Sequence, residues 1–208
     1  MTWDDFAPFV LPYAPDCPDA TAEHHLRQAA ISFCRHTNVW QAPLAALTGN
    51  GVLTAFAMPL PTDAEASKLL GVAVNKSGFA PQDASLPIPP DGAQLIRDGS
   101  LHLIAFTGDL RTLTVWPAQP VAASIVATVS LKPSMAAATF PDALFGHYAQ
   151  DIANGALSTI LSMPKKEWTD MATAAIKAAE FNARKATVAR IVERGFSKST
   201  RRSATRWF

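Results

Sequence analysis

The chain has 208 residues, 49% of them apolar, and a formal net charge of +1. That length suits one domain or a domain with a helical appendage, and no apolar run approaches the ~20 residues that cross a bilayer. Two cysteines, Cys17 and Cys34, argue against a disulfide framework, and the acidic opening Met1-Thr2-Trp3-Asp4-Asp5 lacks the pattern of a signal peptide, so a soluble protein made in a reducing cytoplasm is expected.

Residues 3–18 hold Pro8, Pro12, Pro15 and Pro18 among Phe6, Phe9, Val10, Leu11 and Tyr13, and read as a non-helical apolar arm packed on something. Pro18-Asp19 then opens a helix whose stripe is Ala22, Leu26, Ala29, Ala30, Phe33 and Cys34, fading near Thr37-Asn38. Strand-like runs follow at Val52–Met58, Leu69–Val74, Leu101–Phe106, Leu110–Trp116 and Val121–Leu131. Thr107-Gly108-Asp109 is a candidate hairpin turn, and Phe79–Gly92, with four prolines, a long loop. The region predicts a small antiparallel sandwich or barrel.

Fifteen of the sixteen prolines lie at or before Pro141, so the long helices belong in the last third. One stripe runs Leu144, Phe145, Tyr148, Ile152, Ala156, Leu157, Ile160 and Leu161, with Gly155 marking a close helix contact. Another runs from Met171 to Val192, with Thr169 as N-cap and Gly195 as the C′ residue. The fold class expected is α+β: a helical bundle of the first helix and two long C-terminal helices, with a central antiparallel β sandwich or barrel inserted. Its divisions are 1–45 for arm and first helix, 46–138 for the β-rich insertion, 139–195 for the helical hairpin, and 196–208 for a basic tail.

Charge is unevenly spread. From Leu161 to Phe208 there are eleven Lys or Arg against four acids, giving 11 − 4 = +7, so residues 1–160 carry 7 − 13 = −6. A basic end on an acidic body points to a partner, either nucleic acid or an acidic protein surface. The tail adds Trp207 and Phe208 to Lys198, Arg201, Arg202 and Arg206, a composition suited to stacking on single strands or to anchoring in a protein groove.

Catalytic and metal patterns are weak. His24 and His25 are adjacent on a helix and point about 100° apart, so they do not converge on one ion. Cys34 falls on the apolar stripe beside His36 and reads as a small core residue. His147 and Asp151, four apart, read as a hydrogen-bonded surface pair. Arg184, Lys185, Arg190 and Arg194 are candidates for one side of the last helix. The chain contains no GxxxxGK[ST], GxGxxG, HExxH, GxSxG or CxxC, and no acid, base and nucleophile set is identified, so no enzyme and no cofactor is expected.

Three stretches resemble the head-to-tail adaptor (connector) proteins of tailed bacteriophages. They are Trp3-Asp4-Asp5-Phe6-Ala7-Pro8-Phe9-Val10-Leu11-Pro12 leading to Cys17-Pro18-Asp19; Leu26 through Thr37 ending at Trp40; and Leu161-Ser162-Met163-Pro164-Lys165-Lys166-Glu167-Trp168-Thr169-Asp170 with the helix after it. The match spans the two ends, roughly half the chain. It implies a non-enzymatic virion protein at the head–tail junction: a ring, usually of twelve copies, fixed beneath the portal protein, binding the next tail component and passing DNA through its channel. By that resemblance Arg201, Arg202, Arg206, Trp207 and Phe208 are portal-docking candidates. Arg190, Arg194, Phe9 and Trp3 are candidates for neighbour or lumen contacts, the apolar arm finding cover between subunits. The competing reading is a nucleic-acid-binding module that grips phosphates with the basic helix and tail.

Overall fold

The computed structural model describes residues 1–49, 51, 55–74, 94–98, 101–106, 109–116, 121 and 123–194. Helices and strands segregate into two packed bodies, so the architecture is α+β. The expected loop Phe79–Gly92, the turn residues Thr107 and Gly108, the C′ residue Gly195 and the tail 196–208 lie outside the described residues, as do 52–54 of the first expected strand.

The N-terminal arm corrects expectation. Trp3–Phe6 forms a 3₁₀ turn and α1 (Ala7–Val10) continues it. The Asp5 carboxylate accepts from the Thr2 backbone N–H at 2.7 Å and from its hydroxyl at 3.1 Å, which fastens the start. Pro8 occupies the first turn of α1, where an N–H has no helical partner, so it does no harm there. Pro12, Pro15 and Pro18 then prevent extension. Prolines three and four apart leave room for single turns, which a count of prolines does not reveal.

α2 (Asp19–Thr37) buries Leu26, Ala29, Ala30, Phe33 and Cys34 of the expected stripe, with Ala22 partly buried and Thr37 added. It ends on Asn38, left-handed at φ 50°, whose N–H donates to the Cys34 carbonyl at 2.9 Å. α3 (Asp142–Ile160) buries eight residues including Ile152, Asn154, Gly155 and Leu157, and runs between α2 and α4 (Met171–Glu193). At 1.5 Å per residue, α4 is about 34 Å long. These helices and the N-terminal turns share one core, in which Trp3, Phe6, Val10, Phe33, Phe140 and Phe181 meet. The predicted close contact at Gly155 is present: a Cβ there would stand 2.8 Å from the Phe181 ring.

Asp170, not Thr169, caps α4. The Asp170 carboxylate accepts from the N–H groups of Ala172 and Thr173 at 3.1 and 3.0 Å. Thr169 is engaged elsewhere: its hydroxyl donates to the Met163 carbonyl at 2.6 Å and accepts from the Lys166 N–H at 3.1 Å, pinning the loop. Hydrogen bonds from Thr173 hold the Asp170 carboxyl below its usual range. A depressed folded pKa means a contribution to stability that is complete above the ordinary carboxylate value, about 3.9, and is lost as pH falls through the lowered one. Asp170→Ala should therefore lower the melting temperature at neutral pH, and the gap from wild type should close in acid. A gap that stays constant below pH 3 would refute the capping role.

Among the described residues the β-rich body contains eight strands in two antiparallel sheets: β1 (Gln41–Pro43), β2 (Leu47–Thr48), β3 (Ala55–Ala57), β4 (Ala64–Val74), β5 (Gln94–Asp98), β6 (Leu101–Phe106), β7 (Thr112–Trp116) and β8 (Ser124–Pro133). In the first sheet β8 is central, with β4 along one edge and β1 and β2 along the other. The second runs β3-β7-β6-β5. Pairing among the described residues closes no barrel. Leu113 and Val115 of β7 share a buried cluster with Leu69 and Val72 of β4 and Ile125, Val129 and Leu131 of β8. β6 and β7 pair as the expected hairpin, and Asp109 accepts from the N–H groups of Arg111 and Thr112 at 2.9 and 2.8 Å beside its turn. Trp40 packs against both cores, and its carbonyl accepts from the Leu131 N–H at 2.7 Å.

Candidate interaction surfaces

The portal-docking candidates Arg201, Arg202, Arg206, Trp207 and Phe208 lie outside the described residues. Trp3, expected as a neighbour or lumen contact, is buried within the chain at 3% exposure. Its indole N–H donates to the Ala137 carbonyl at 2.7 Å, and its ring packs on Phe6 and Phe140 at 5.7 and 5.8 Å. Phe9 is partly buried with its ring edge-on to Phe145 at 6.3 Å. Intramolecular packing thus covers Trp3, Phe6 and Val10, and part of Phe9, in the arm that was expected to find its cover between subunits. Leu11 and Tyr13 stay exposed at 42% and 44%.

The basic residues of α4 do not form one row. Arg184 Nε donates to the Asp151 carboxylate of α3 at 2.9 Å, an ion pair that takes the carboxylate expected to bind His147. His147 is exposed, its ring 6.0 Å from that of Tyr148. Lys185 lies over the Phe181 ring at 4.4 Å and reaches the Ser32 hydroxyl of α2 at 3.4 Å. Arg190 and Arg194, four apart and exposed, share a side near the C-terminal end of α4.

Ahead of Arg190, α4 turns an apolar side outward. Met171 is 63% exposed and Ile176 58%. Ala172, Ala175, Ala179, Ala183 and Ala186 are exposed with them at steps of three and four. The opposite side buries Ala174, Phe181 and Val188. A helix apolar on both sides is the pattern of one covered on both sides. Met171, which opens the stripe expected from the sequence, therefore lies on the outward side.

The titratable candidates have ordinary surroundings. Burial pushes the Cys34 thiol up to about 12, as befits a residue with no exposed surface. His24 pairs with Gln28 at 2.9 Å and His25 with Thr159 at 3.1 Å, their rings nearly perpendicular. Among the described residues no three His, Cys, Asp or Glu side chains converge as metal ligands, and no helix is long and apolar enough to cross a membrane. Trp168, in the loop before α4, keeps a buried indole N–H without an acceptor among the described residues.

Two open clefts of similar size mark the surface. One, about 470 Å³, lies beside Trp40, Asp63 and Phe140, and the Asp63 carboxylate in it already accepts from Thr139 at 2.8 Å. The other, about 460 Å³, lies between α2 and α4 and gathers Arg35, His36 and Lys185. Sequence reading missed the second, because Lys185 stands 150 residues from Arg35. No protein-family model matches the chain, and no curated protein matches it.

Proposed function

We propose that the chain is a structural adaptor of a phage virion, forming a ring that joins the portal to the tail and lets DNA pass. The observation that carries the reading is the uncovered apolar side of α4, with Met171 and Ile176 largely in solvent. A monomer leaves such a side without purpose, whereas an assembled helix covers it. The segregation of the chain supports the same reading: helices from its two ends share one core, and two antiparallel sheets from its middle share another. So does the charge split, since a basic end of +7 beside a body of −6 favours contact between copies or with an acidic partner.

In this reading residues 196–208, with Arg201, Arg202, Arg206, Trp207 and Phe208, dock into the portal. Deleting them should abolish binding to the portal of the same virion, measured by co-sedimentation, and leave the melting temperature unchanged. A truncated chain that still binds refutes the tail's role. Steeply salt-dependent DNA binding by the isolated protein between 50 and 200 mM salt, with no portal binding, would favour the nucleic-acid module instead.

A further inference from the structure

α2 is electrically polar along its length. Around its N-terminal end stand Asp4, Asp16 and Asp19, all exposed and none drawn into an ion pair among the described residues. Arg35 and His36 stand at the other end, sixteen residues and about 24 Å beyond Asp19. There the helix meets Lys185 of α4 across the cleft of about 460 Å³, floored by Ile31 and Met135. No carboxylate lines that cleft. Compensation of the helix dipole accounts for Asp19 and for Arg35 and His36. It does not account for Lys185, which belongs to another helix. Burial draws the Lys185 ammonium below its ordinary pKa, and its contacts are a hydroxyl and a ring face rather than an anion. Two cationic side chains, Arg35 and Lys185, with the His36 imidazole beside them, are stabilised by an anion that enters the cleft.

We infer that the cleft of Arg35, His36 and Lys185 receives the Asp4, Asp16 and Asp19 end of a second copy, so that copies join head to tail. The inference rests on the assembly reading above and adds to it a contact between copies separate from the outward side of α4. The occupant follows from complementarity within one chain. The acidic end offers three carboxylates outside any ion pair among the described residues, and the exposed Leu11 and Tyr13, the latter with Lys177 Nζ over its ring at 4.9 Å, precede Asp16 in the chain as apolar counterparts to Ile31 and Met135. Because donor and acceptor surfaces differ, the contact is heterologous and repeats, closing into a ring when the rotation allows.

Charge reversal tests it on the full chain. Arg35→Glu/His36→Glu and Asp16→Lys/Asp19→Lys alter exposed positions, and circular dichroism checks that both fold. At low salt, sedimentation should show wild-type self-association, with each variant alone weakened roughly 100-fold. An equimolar mixture should recover to within about threefold of wild type, since each variant's altered end then faces its complement. Variants that associate like wild type, a mixture that fails to recover, or a wild type monomeric throughout would each overturn the contact. Portal binding by the same proteins separates the two readings. A chain that binds the portal without pairing head to tail loses only this contact, and one that pairs but ignores the portal loses only the adaptor role.

Discussion

Replacing Trp3 with Ala should destabilise the protein by about 3–5 kcal/mol, the range for removing a large buried aromatic. The indole sits at 3% exposure between Phe6 and Phe140, and the Arg27 guanidinium lies over it at 5.7 Å. For a chain of this size the melting temperature should fall by roughly 6–20 °C. Trp3→Phe separates packing from hydrogen bonding. The Ala137 carbonyl also accepts from Arg27 Nε at 3.0 Å, so losing the indole donor leaves no orphaned acceptor. That variant should lose only about 1–2 kcal/mol. Urea denaturation checks both, and a loss below about 1 kcal/mol for Trp3→Ala would place the side chain outside the core.

The second large effect is expected at Gly155. An added Cβ meets Phe181 Cε2 and Cζ at 2.8 Å, and the ring has little room to withdraw. Phe33 stacks against Phe181 at 6.1 Å, and Lys185 Nζ lies over it at 4.4 Å. Gly155→Ala gains about 1 kcal/mol of helix propensity and loses about 1–3 to overpacking, for a net loss of roughly 1 kcal/mol. Gly155→Val adds two more carbons and a stiffer side chain, and should lose about 3 kcal/mol. Shortening the obstruction should reverse part of this. In a Gly155→Ala/Phe181→Leu cycle the double variant should be more stable than the sum of the single losses predicts, by at least about 0.5 kcal/mol. Strict additivity would mean that the contact carries no strain.

The helices were legible because each carries its reason locally. Leu26 through Cys34 repeat at three and four, Pro18 and Pro141 stand directly before the first turns, and Asn38 takes the left-handed stop. Gly155 was legible for the same reason, as a lone glycine in an apolar stripe. β1 and β2 were not, since three and two residues show no alternation, and only pairing with β8 makes them strands. The choice of Asp170 over Thr169 as cap depended on a hydroxyl bonding to Met163, and Asp151 turned to Arg184 rather than His147. Those are competitions between partners, decided only in three dimensions. The cationic cleft and the outward side of α4 were hidden for a related reason. An arginine on α2 and a lysine on α4 become neighbours only once Phe33 has met Phe181, and an alanine repeat reads the same whether it faces a core or solvent.

The placement of Trp3, Phe6 and Val10 in a core shared with α3 and α4 fixes an order of events during translation. The β-rich body ends at Pro133, so its strands can close while both later helices are still unmade. α2 ends at Thr37, and α3, which brings the Phe145 ring against Phe6 and Phe9, ends at Ile160, a gap of 160 − 37 = 123 residues. At about 5–20 residues per second the ribosome needs roughly 6–25 seconds to cross it. Until then Trp3, Phe6 and Phe9 lack that cover, and a chaperone can reach them on the nascent chain.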